Sequence, residues 1–166
     1  MQRRFHPLAT SLLLGSVLLA PACVIAPAQQ PAESPSTGAA SKATLIVHVT
    51  GIRSTKGKIG VALWRDAKGF PEAVVNAAQQ QWVDIDASKM TAQAVFEHVP
   101  RGVYAVTAMH DENGNRKFDK NLIGVPKEGY GVSNNPPRRM SPPKFNEAKL
   151  SLDQPEQIIE IKLIYW

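Results

Sequence analysis

The chain has 166 residues, with 19 Lys and Arg against 14 Asp and Glu, so its formal net charge is +5. That length supports a single domain of ordinary size. The basic residues are scattered, apart from Arg138 and Arg139, and no stripe of aromatic and basic residues marks a nucleic-acid partner. The only cysteine is Cys23, so an internal disulfide is excluded and the domain must be stabilised by its hydrophobic core.

The first 28 residues have the three parts of a secretory signal peptide. Arg3 and Arg4 are basic, an apolar run occupies 8–20, and small residues follow up to Ala28. The apolar run is shorter than the roughly 20 residues that span a bilayer. The sequence therefore predicts an exported protein of the periplasm or the cell exterior.

Cys23 leaves two outcomes of export open. Bacterial lipoproteins are cut before a cysteine in this place, and the cysteine then carries lipid chains that anchor the protein to the membrane. The position three residues before it holds Ala20, where the strongest lipoprotein signals have Leu. In the alternative, cleavage after Ala28 discards Cys23 and leaves a free domain.

Residues 29–42 are predicted to be a flexible linker, and 43–166 the folded domain. The linker is rich in Pro, Ala, Ser, Gly and Gln, and it has almost no large apolar residues whose burial could offset the entropy of ordering. From Ala43 onward apolar and polar residues alternate, which is typical of half-buried strands. Strands are predicted at 43–49, 59–63, 82–85, 92–96, 103–109, 149–152 and 157–165, with a short helix over 71–80.

About seven short strands separated by turn signals favour an all-β sandwich of two sheets, with a closed barrel as the alternative. Between the fifth and sixth of them lies a long irregular region over 111–146, dense in Gly, Pro and Asn. A rigid sandwich that presents one long loop is a common design for recognition. The sequence therefore places the functional part of the domain in this region.

The start of that region has the spacing of a calcium-binding loop. Calcium takes six to eight oxygen ligands from carboxylates, amides and backbone carbonyls. The predicted ligands match positions one, three, five, nine and seven of an EF-hand loop, and they are the side chains of Asp111, Asn113, Asn115 and Asp119 and the carbonyl of Lys117. Calcium is therefore the one candidate cofactor that the sequence suggests.

Two positions depart from that pattern. Arg116 stands at position six, where an EF-hand has Gly, and Leu122 stands at position twelve, where it has a bidentate Glu. Glu128 could complete the shell only if the loop folds back. Asn113 and Gly114 together are also a strong two-residue turn signal, because both tolerate positive φ. A hairpin turn without any cation is therefore the alternative interpretation.

Five residues in and beside the region are candidates for contact with a ligand or partner. His110 directly precedes the loop and could donate a ring N–H to a loop carboxylate. Tyr130 lies between two glycines in a predicted loop, where burial of an aromatic ring is less automatic. Glu128, Asn134 and Asn135 are polar neighbours of Tyr130 along the chain.

An enzyme is the alternative interpretation of the same residues. His110, Asp111 and Asp119 would have to converge with a nucleophile or a metal in a cleft to form a periplasmic hydrolase or a metal-dependent enzyme. Ser133 is a candidate hydroxyl, but the glycine pattern of a nucleophile elbow is incomplete around it. No phosphate-cradling glycine motif and no paired-cysteine metal motif occurs. No catalytic residue is therefore assigned from the sequence.

Three stretches together resemble a bacterial family of exported proteins, the domain of unknown function 2141. They are VPRGVYAV at 99–106, HDENGN at 110–115 and GVPKEGYGVSNN at 124–135. The resemblance covers roughly 43–165, and it departs from the family pattern at Arg116, often Gly there, and at Val132, often Phe. It implies an immunoglobulin-like or transthyretin-like β-sandwich in an exported location. It implies no activity and no functional residues, because none is established for the family.

The sequence therefore predicts a non-enzymatic module of the cell envelope. It would bind an unidentified envelope ligand or protein through 111–146, with calcium as a candidate brace of that region. A membrane tether through lipidated Cys23 remains one of its two expected locations, and nucleic acid is not an expected partner.

Overall fold

The computed structural model describes residues 41–139 and 141–166, and they form an all-β sandwich. The predicted signal peptide, Cys23 and residues 29–40 of the predicted linker lie outside the described residues. The strands are β1 Lys42–Thr50, β2 Lys58–Trp64, β3 Gln79–Val83, β4 Ala92–Pro100, β5 Gly102–Asp111, β6 Gly129–Val132, β7 Leu150–Leu152 and β8 Glu156–Lys162. A 3-10 turn at Val74–Asn76 and one short helix, α1 at Phe145–Ala148, complete the described elements.

Two sheets pack face to face. One has three strands in the order β4-β1-β8, and the other has the order β3-β2-β5-β6, with β7 paired to the first part of β5. β1 runs parallel to β8 and antiparallel to β4, whereas the remaining pairings among the named strands are antiparallel. The sandwich predicted from the alternation is therefore confirmed.

The main core lies between the two sheets. It consists of the alternating side chains that the sequence pattern placed on one face of each strand. Those with at most 1% exposure include Leu45, Val47 and Val49 from β1 and Ile59, Val61 and Leu63 from β2. Burying each such side chain contributes about 1.5–3 kcal/mol, and this core stabilises a domain that has no disulfide to help it.

The region over 111–146 is less irregular than predicted, because it contains β6 and the start of α1. β6 has two glycines, and both lie where another strand or ring comes close. A Cβ on Gly129 would come within 2.3 Å of the Tyr165 ring, and one on Gly131 within 2.7 Å of Ile161. Close packing therefore requires glycine there, and glycine hides the alternation by which strands are recognised.

The helix predicted over 71–80 is wrong. Only the 3-10 turn forms in that segment, and β3 already begins at Gln79. β3 pairs with β2, and Trp82 lies opposite Gly60 in that pairing. A single turn after a proline is too short to be stable as an isolated helix, so pairing with the sheet prevails.

Among residues 41–139 and 141–166, a second cluster of apolar side chains covers one end of the outer face of the five-stranded sheet. Buried Trp64 packs there edge-on against Phe70, with ring centroids 5.4 Å apart, and Phe70 packs edge-on against Phe145 at 5.7 Å. The indole N–H of Trp64 donates to Thr107 at 3.0 Å. The segment after β2 and the short helix α1 therefore form a second, smaller core.

Among the described residues, no helix has both the length and the apolar character that crossing a membrane requires.

Candidate functional site

The loop over 111–128, here called the acidic loop, is organised around the carboxylate of Asp111. Asp111 ends β5 and is 1% exposed. Its Oδ1 accepts the N–H groups of Gly114 at 2.8 Å and Asn115 at 3.1 Å, and its Oδ2 accepts that of Arg116 at 2.8 Å. Three backbone donors on one buried carboxylate fix the course of the first turn.

Two asparagines carry the loop onward from that turn. Asn113 Oδ1 accepts the N–H of Asn115 at 3.0 Å, and Asn115 Oδ1 accepts the N–H of Lys117 at 2.7 Å. Both amide nitrogens also donate to Oδ2 of Asp119, at 2.7 and 2.8 Å. Hydrogen bonds therefore link the predicted ligand residues at 111, 113, 115 and 119.

A small hairpin over 120–127 then returns the chain to the start of the loop. Lys120 and Pro126 form an isolated bridge, and the N–H of Lys127 donates to the carbonyl of Asp119 at 2.9 Å. This return places Glu128 beside Asp119, whose N–H donates to Glu128 Oε2 at 3.2 Å. The loop thus folds back, as completion of the predicted shell by Glu128 requires.

Glu128 is the least satisfied polar side chain of the loop. It is 4% exposed, and its Oε1 is buried without a hydrogen-bond partner among the described residues. Burial raises the pKa of Glu128 above its usual range, the N–H of Asp119 partly offsets this, and the nearby carboxylates of Asp111 and Asp119 raise it further. Glu128 is therefore a buried carboxylate that two neighbouring carboxylates repel.

Arg53 fastens both ends of the acidic loop from outside. Its guanidinium forms a salt bridge with Glu112, donates to the carbonyl of Lys127 at 3.2 Å and lies 4.4 Å from the ring centroid of Tyr165. The hydrogen bonds from Arg53 and Ser54 lower the pKa of Glu112 to about 2, against the opposing effect of burial. The side chain of Glu112 therefore belongs to this clamp.

A groove lies beside the acidic loop on the outer sheet face, and its volume is about 560 Å³. Its floor includes Gly60, Ala62, Thr107 and Met109. Aromatic side chains that line it are Trp82, Phe118, Tyr130 and Trp166. Basic side chains that line it are Arg116, Lys117, Lys120 and Arg139. The groove therefore combines an apolar interior with a predominantly basic rim.

Comparison with known proteins identifies the family of this chain. A family model described as an uncharacterized protein conserved in bacteria, the domain of unknown function 2141, matches residues 47–160. The chain belongs to this family. No curated protein and no solved structure matches it. The matched segment begins in β1, ends in β8 and includes the whole acidic loop, so the candidate site lies inside the family's domain.

Within that domain, His110 faces away from the acidic loop. It is fully buried, and its Nε2 lies 2.8 Å from the carbonyl of Lys56. A carbonyl only accepts, so Nε2 carries the proton and Nδ1 can accept from the hydroxyl of Tyr165, which lies 2.8 Å away. Successive residues of a strand point to opposite faces, so His110 does not join Asp111 and Asp119.

The remaining polar candidates hold the family's domain together. Asn134 donates to the carbonyl of Lys149 at 2.9 Å. Asn135 pairs with the edge of β8, donating to the carbonyl of Glu160 at 2.9 Å and accepting the N–H of Lys162 at 2.8 Å. Both amides are therefore occupied within the protein, and neither lies in the acidic loop.

Of the predicted contact residues, Tyr130 is the one that lines the groove. Its ring packs edge-on against Phe118 of the acidic loop, with centroids 5.7 Å apart. Phe118 also lines the groove, although no sequence motif singled it out as a contact residue. The available signal was the pair of small residues, Gly60 and Ala62, at alternate positions of β2, since small side chains leave room above a sheet.

Proposed function

We propose that this protein is an exported, non-enzymatic module of the bacterial cell envelope. It binds a small anionic molecule with an apolar body in the groove between the outer sheet face and the acidic loop. The observation that carries this proposal is the groove itself, with an apolar, aromatic interior and a basic rim. Its volume of about 560 Å³ lies within the range of about 300–1,000 Å³ that is usual for small-molecule sites.

The groove owes its depth to the absence of a side chain at Gly60. A Cβ there would lie 2.9 Å from the Trp82 ring and 3.2 Å from Met109, so glycine lets the indole lie across the floor. An aromatic wall of this kind favours flat or aliphatic ligand surfaces. The apolar part of the ligand is therefore assigned to the space between Trp82 and Tyr130.

The basic rim of the groove indicates the charge of the ligand. Arg116 and Lys117 form no salt bridge among the described residues, whereas Lys120 pairs with Glu72 at 2.7 Å. Two uncompensated cations at the mouth of an apolar groove attract an anion and orient it with its charged group outward. This supports a carboxylate, sulfonate or phosphate group on the ligand.

The contacts of His110 and Ser133 support a binding role over the alternative of a hydrolase or metal enzyme. Both ring nitrogens of His110 have partners, and the hydroxyl of Ser133 donates to the carbonyl of Ala148 at 2.5 Å. Both side chains are fully buried. Neither is free to take a proton from a substrate or to attack one.

The test uses two fluorescent probes of similar shape, anionic anilinonaphthalene sulfonate and neutral N-phenylnaphthylamine. We expect saturable binding of the anion to the folded protein. Trp82→Ala should weaken the binding of both probes by about tenfold or more, because it removes one wall of the groove. Replacing Arg116 and Lys117 by Gln should weaken the binding of the anion alone and reduce its salt dependence.

Ile158→Ala is the matched control, because Ile158 is a 59% exposed apolar side chain on the opposite sheet. It should leave the affinity for both probes unchanged. Near-ultraviolet circular dichroism checks that every variant is folded, since the anionic probe also binds loosely packed states. Equal affinities for the Trp82→Ala and Ile158→Ala variants would exclude the groove as the binding site.

A further inference from the structure

We propose that the acidic loop binds a calcium ion and that Glu128 closes the ligand shell. The first five ligands come from the segment that starts at Asp111, and the last comes from beyond the 120–127 hairpin. Lys117 contributes its carbonyl to this site and also lines the groove, but calcium binding is measured without any groove probe, so the two proposals are tested independently.

The donor set fits a hard divalent cation. It consists of the carboxylates of Asp111, Asp119 and Glu128, the amide oxygens of Asn113 and Asn115, and the carbonyl of Lys117. These groups supply about six oxygens, or about seven when Glu128 binds through both of its oxygens, as calcium requires. Among the described residues, no three His, Cys, Asp or Glu side chains form a metal cluster on their own. Half of the proposed shell is amide or carbonyl oxygen, which suits calcium and does not suit zinc.

Glu128 points to a ligand independently of the loop spacing. Its side chain is 4% exposed, and Oε1 has no hydrogen-bond partner among the described residues. An unpaired oxygen of a buried carboxylate is costly, and a bound cation is one of the few groups that compensates it. The other oxygen of Glu128 accepts the N–H of Asp119, so the carboxylate is directed into the loop.

The residue at position six does not prevent the loop from forming. Arg116 adopts φ +58°, the left-handed conformation for which an EF-hand uses Gly. Its N–H still reaches Oδ2 of Asp111, at 2.8 Å. The side chains of Arg116 and Lys117 are exposed and line the groove, so their charges lie on the outside of the loop.

The ligand that an EF-hand has at position twelve of its loop is supplied here by Glu128, which comes later in the chain. Leu122 lies fully exposed in the hairpin between Lys120 and Pro126 and supplies no ligand. The hairpin shortens the path from Asp119 to Glu128, and Glu128 therefore takes the place of the bidentate glutamate of an EF-hand.

The experiment titrates the purified, metal-stripped protein with calcium and with magnesium, by calorimetry and by thermal unfolding. We expect one calcium per chain. At a calcium concentration about 100 times Kd, the melting temperature should rise by about 8–16 °C. Magnesium should give a much smaller rise, because it demands a tighter octahedral shell. No heat and no rise with calcium, or an equal rise with magnesium, would overturn the proposal.

Glu128→Gln should reverse the order of the melting temperatures of variant and wild type between chelator and calcium, and only a cation site predicts this. In chelator, the variant should melt at or above the wild-type temperature, because a buried carboxylate near two others has been neutralised. In calcium, it should melt below the wild type, and its calcium affinity should fall at least tenfold. Glu160→Gln, an exposed glutamate on β8, should bind calcium like the wild type. Asp119→Asn provides a second variant in case Glu128→Gln does not fold. Unchanged calcium affinity in either loop variant would refute the assignment.

Discussion

Ser133 offers the sharpest test of whether the stretch around 131–135 is structural. Its hydroxyl is fully buried, accepts the N–H of Val106 at 2.9 Å and donates to the carbonyl of Ala148 at 2.5 Å. It thereby joins β5, the end of β6 and α1. Ser133→Ala removes the hydroxyl and leaves both backbone groups without this partner in a place that water does not reach.

The expected loss of stability follows from those two backbone groups, the N–H of Val106 and the carbonyl of Ala148. A buried backbone group left without a partner costs about 1–3 kcal/mol, so Ser133→Ala should lower the free energy of unfolding by about 2–4 kcal/mol. For a domain of this size that corresponds to a melting temperature roughly 6–24 °C lower. Urea and thermal unfolding followed by circular dichroism would measure it.

Ser151 supplies the matched control, because it is exposed on β7. Ser151→Ala should change the free energy of unfolding by less than about 0.5 kcal/mol. A loss below about 1 kcal/mol for Ser133→Ala would refute the structural role.

Three further predictions concern the clamp, the packing of β6 and an exposed carboxyl group. Arg53→Ala should lower the free energy of unfolding by only about 0.5–1 kcal/mol, because the salt bridge of Arg53 with Glu112 is partly exposed. It should also speed amide hydrogen exchange in the acidic loop, and unchanged exchange would contradict the clamp. Gly131→Ala should cost about 1–3 kcal/mol in urea unfolding, because a Cβ would lie 2.7 Å from atoms of β8, and a neutral result would contradict that packing. The hydroxyl of Ser88 is the largest of the effects that lower the pKa of Asp86 to about 2. The stabilisation that ionised Asp86 gains from this hydrogen bond should therefore be complete above the unfolded pKa of about 3.9 and lost as pH falls through about 2. An NMR titration midpoint of Asp86 near 3.8 would contradict this.

The sandwich could be predicted because most of its strands alternate cleanly. In β1 and β2 the apolar residues at every second position become the core, which is what a half-buried strand requires. β6 could not be predicted in this way, because Gly129 and Gly131 are selected by the close approach of Tyr165 and Ile161. That contact exists only once the two sheets have packed, so no local pattern reports it.

The candidate site was predictable in its local part only. The spacing from Asp111 to Asp119 is a property of nine consecutive residues, and hydrogen bonds of the acidic loop link those residues. The return of Glu128 depends on the hairpin over 120–127 and on Arg53, which is distant in sequence. The groove depends on which sheet face the loop covers, and the sequence leaves that undetermined until the pairing of β2 with β5 is known.

The two proposed sites share a wall, and this gives a final prediction. Arg116 and Lys117 take backbone positions fixed by Asp111 and Asn115, yet their side chains line the groove together with Phe118. A cation that orders the backbone of the acidic loop therefore also orders this wall. Binding in the groove to a wall that is already ordered loses less conformational entropy and should be tighter.

Coupling of this kind must be reciprocal. If calcium tightens binding of anilinonaphthalene sulfonate by about fivefold or more, a saturating concentration of that probe must tighten calcium binding by the same factor. Both affinities can be measured by calorimetry on the same protein, with Glu128→Gln as the control in which the probe affinity should no longer respond to calcium. Equal probe affinities in calcium and in chelator, with both sites binding, would mean that the wall is already rigid without the cation.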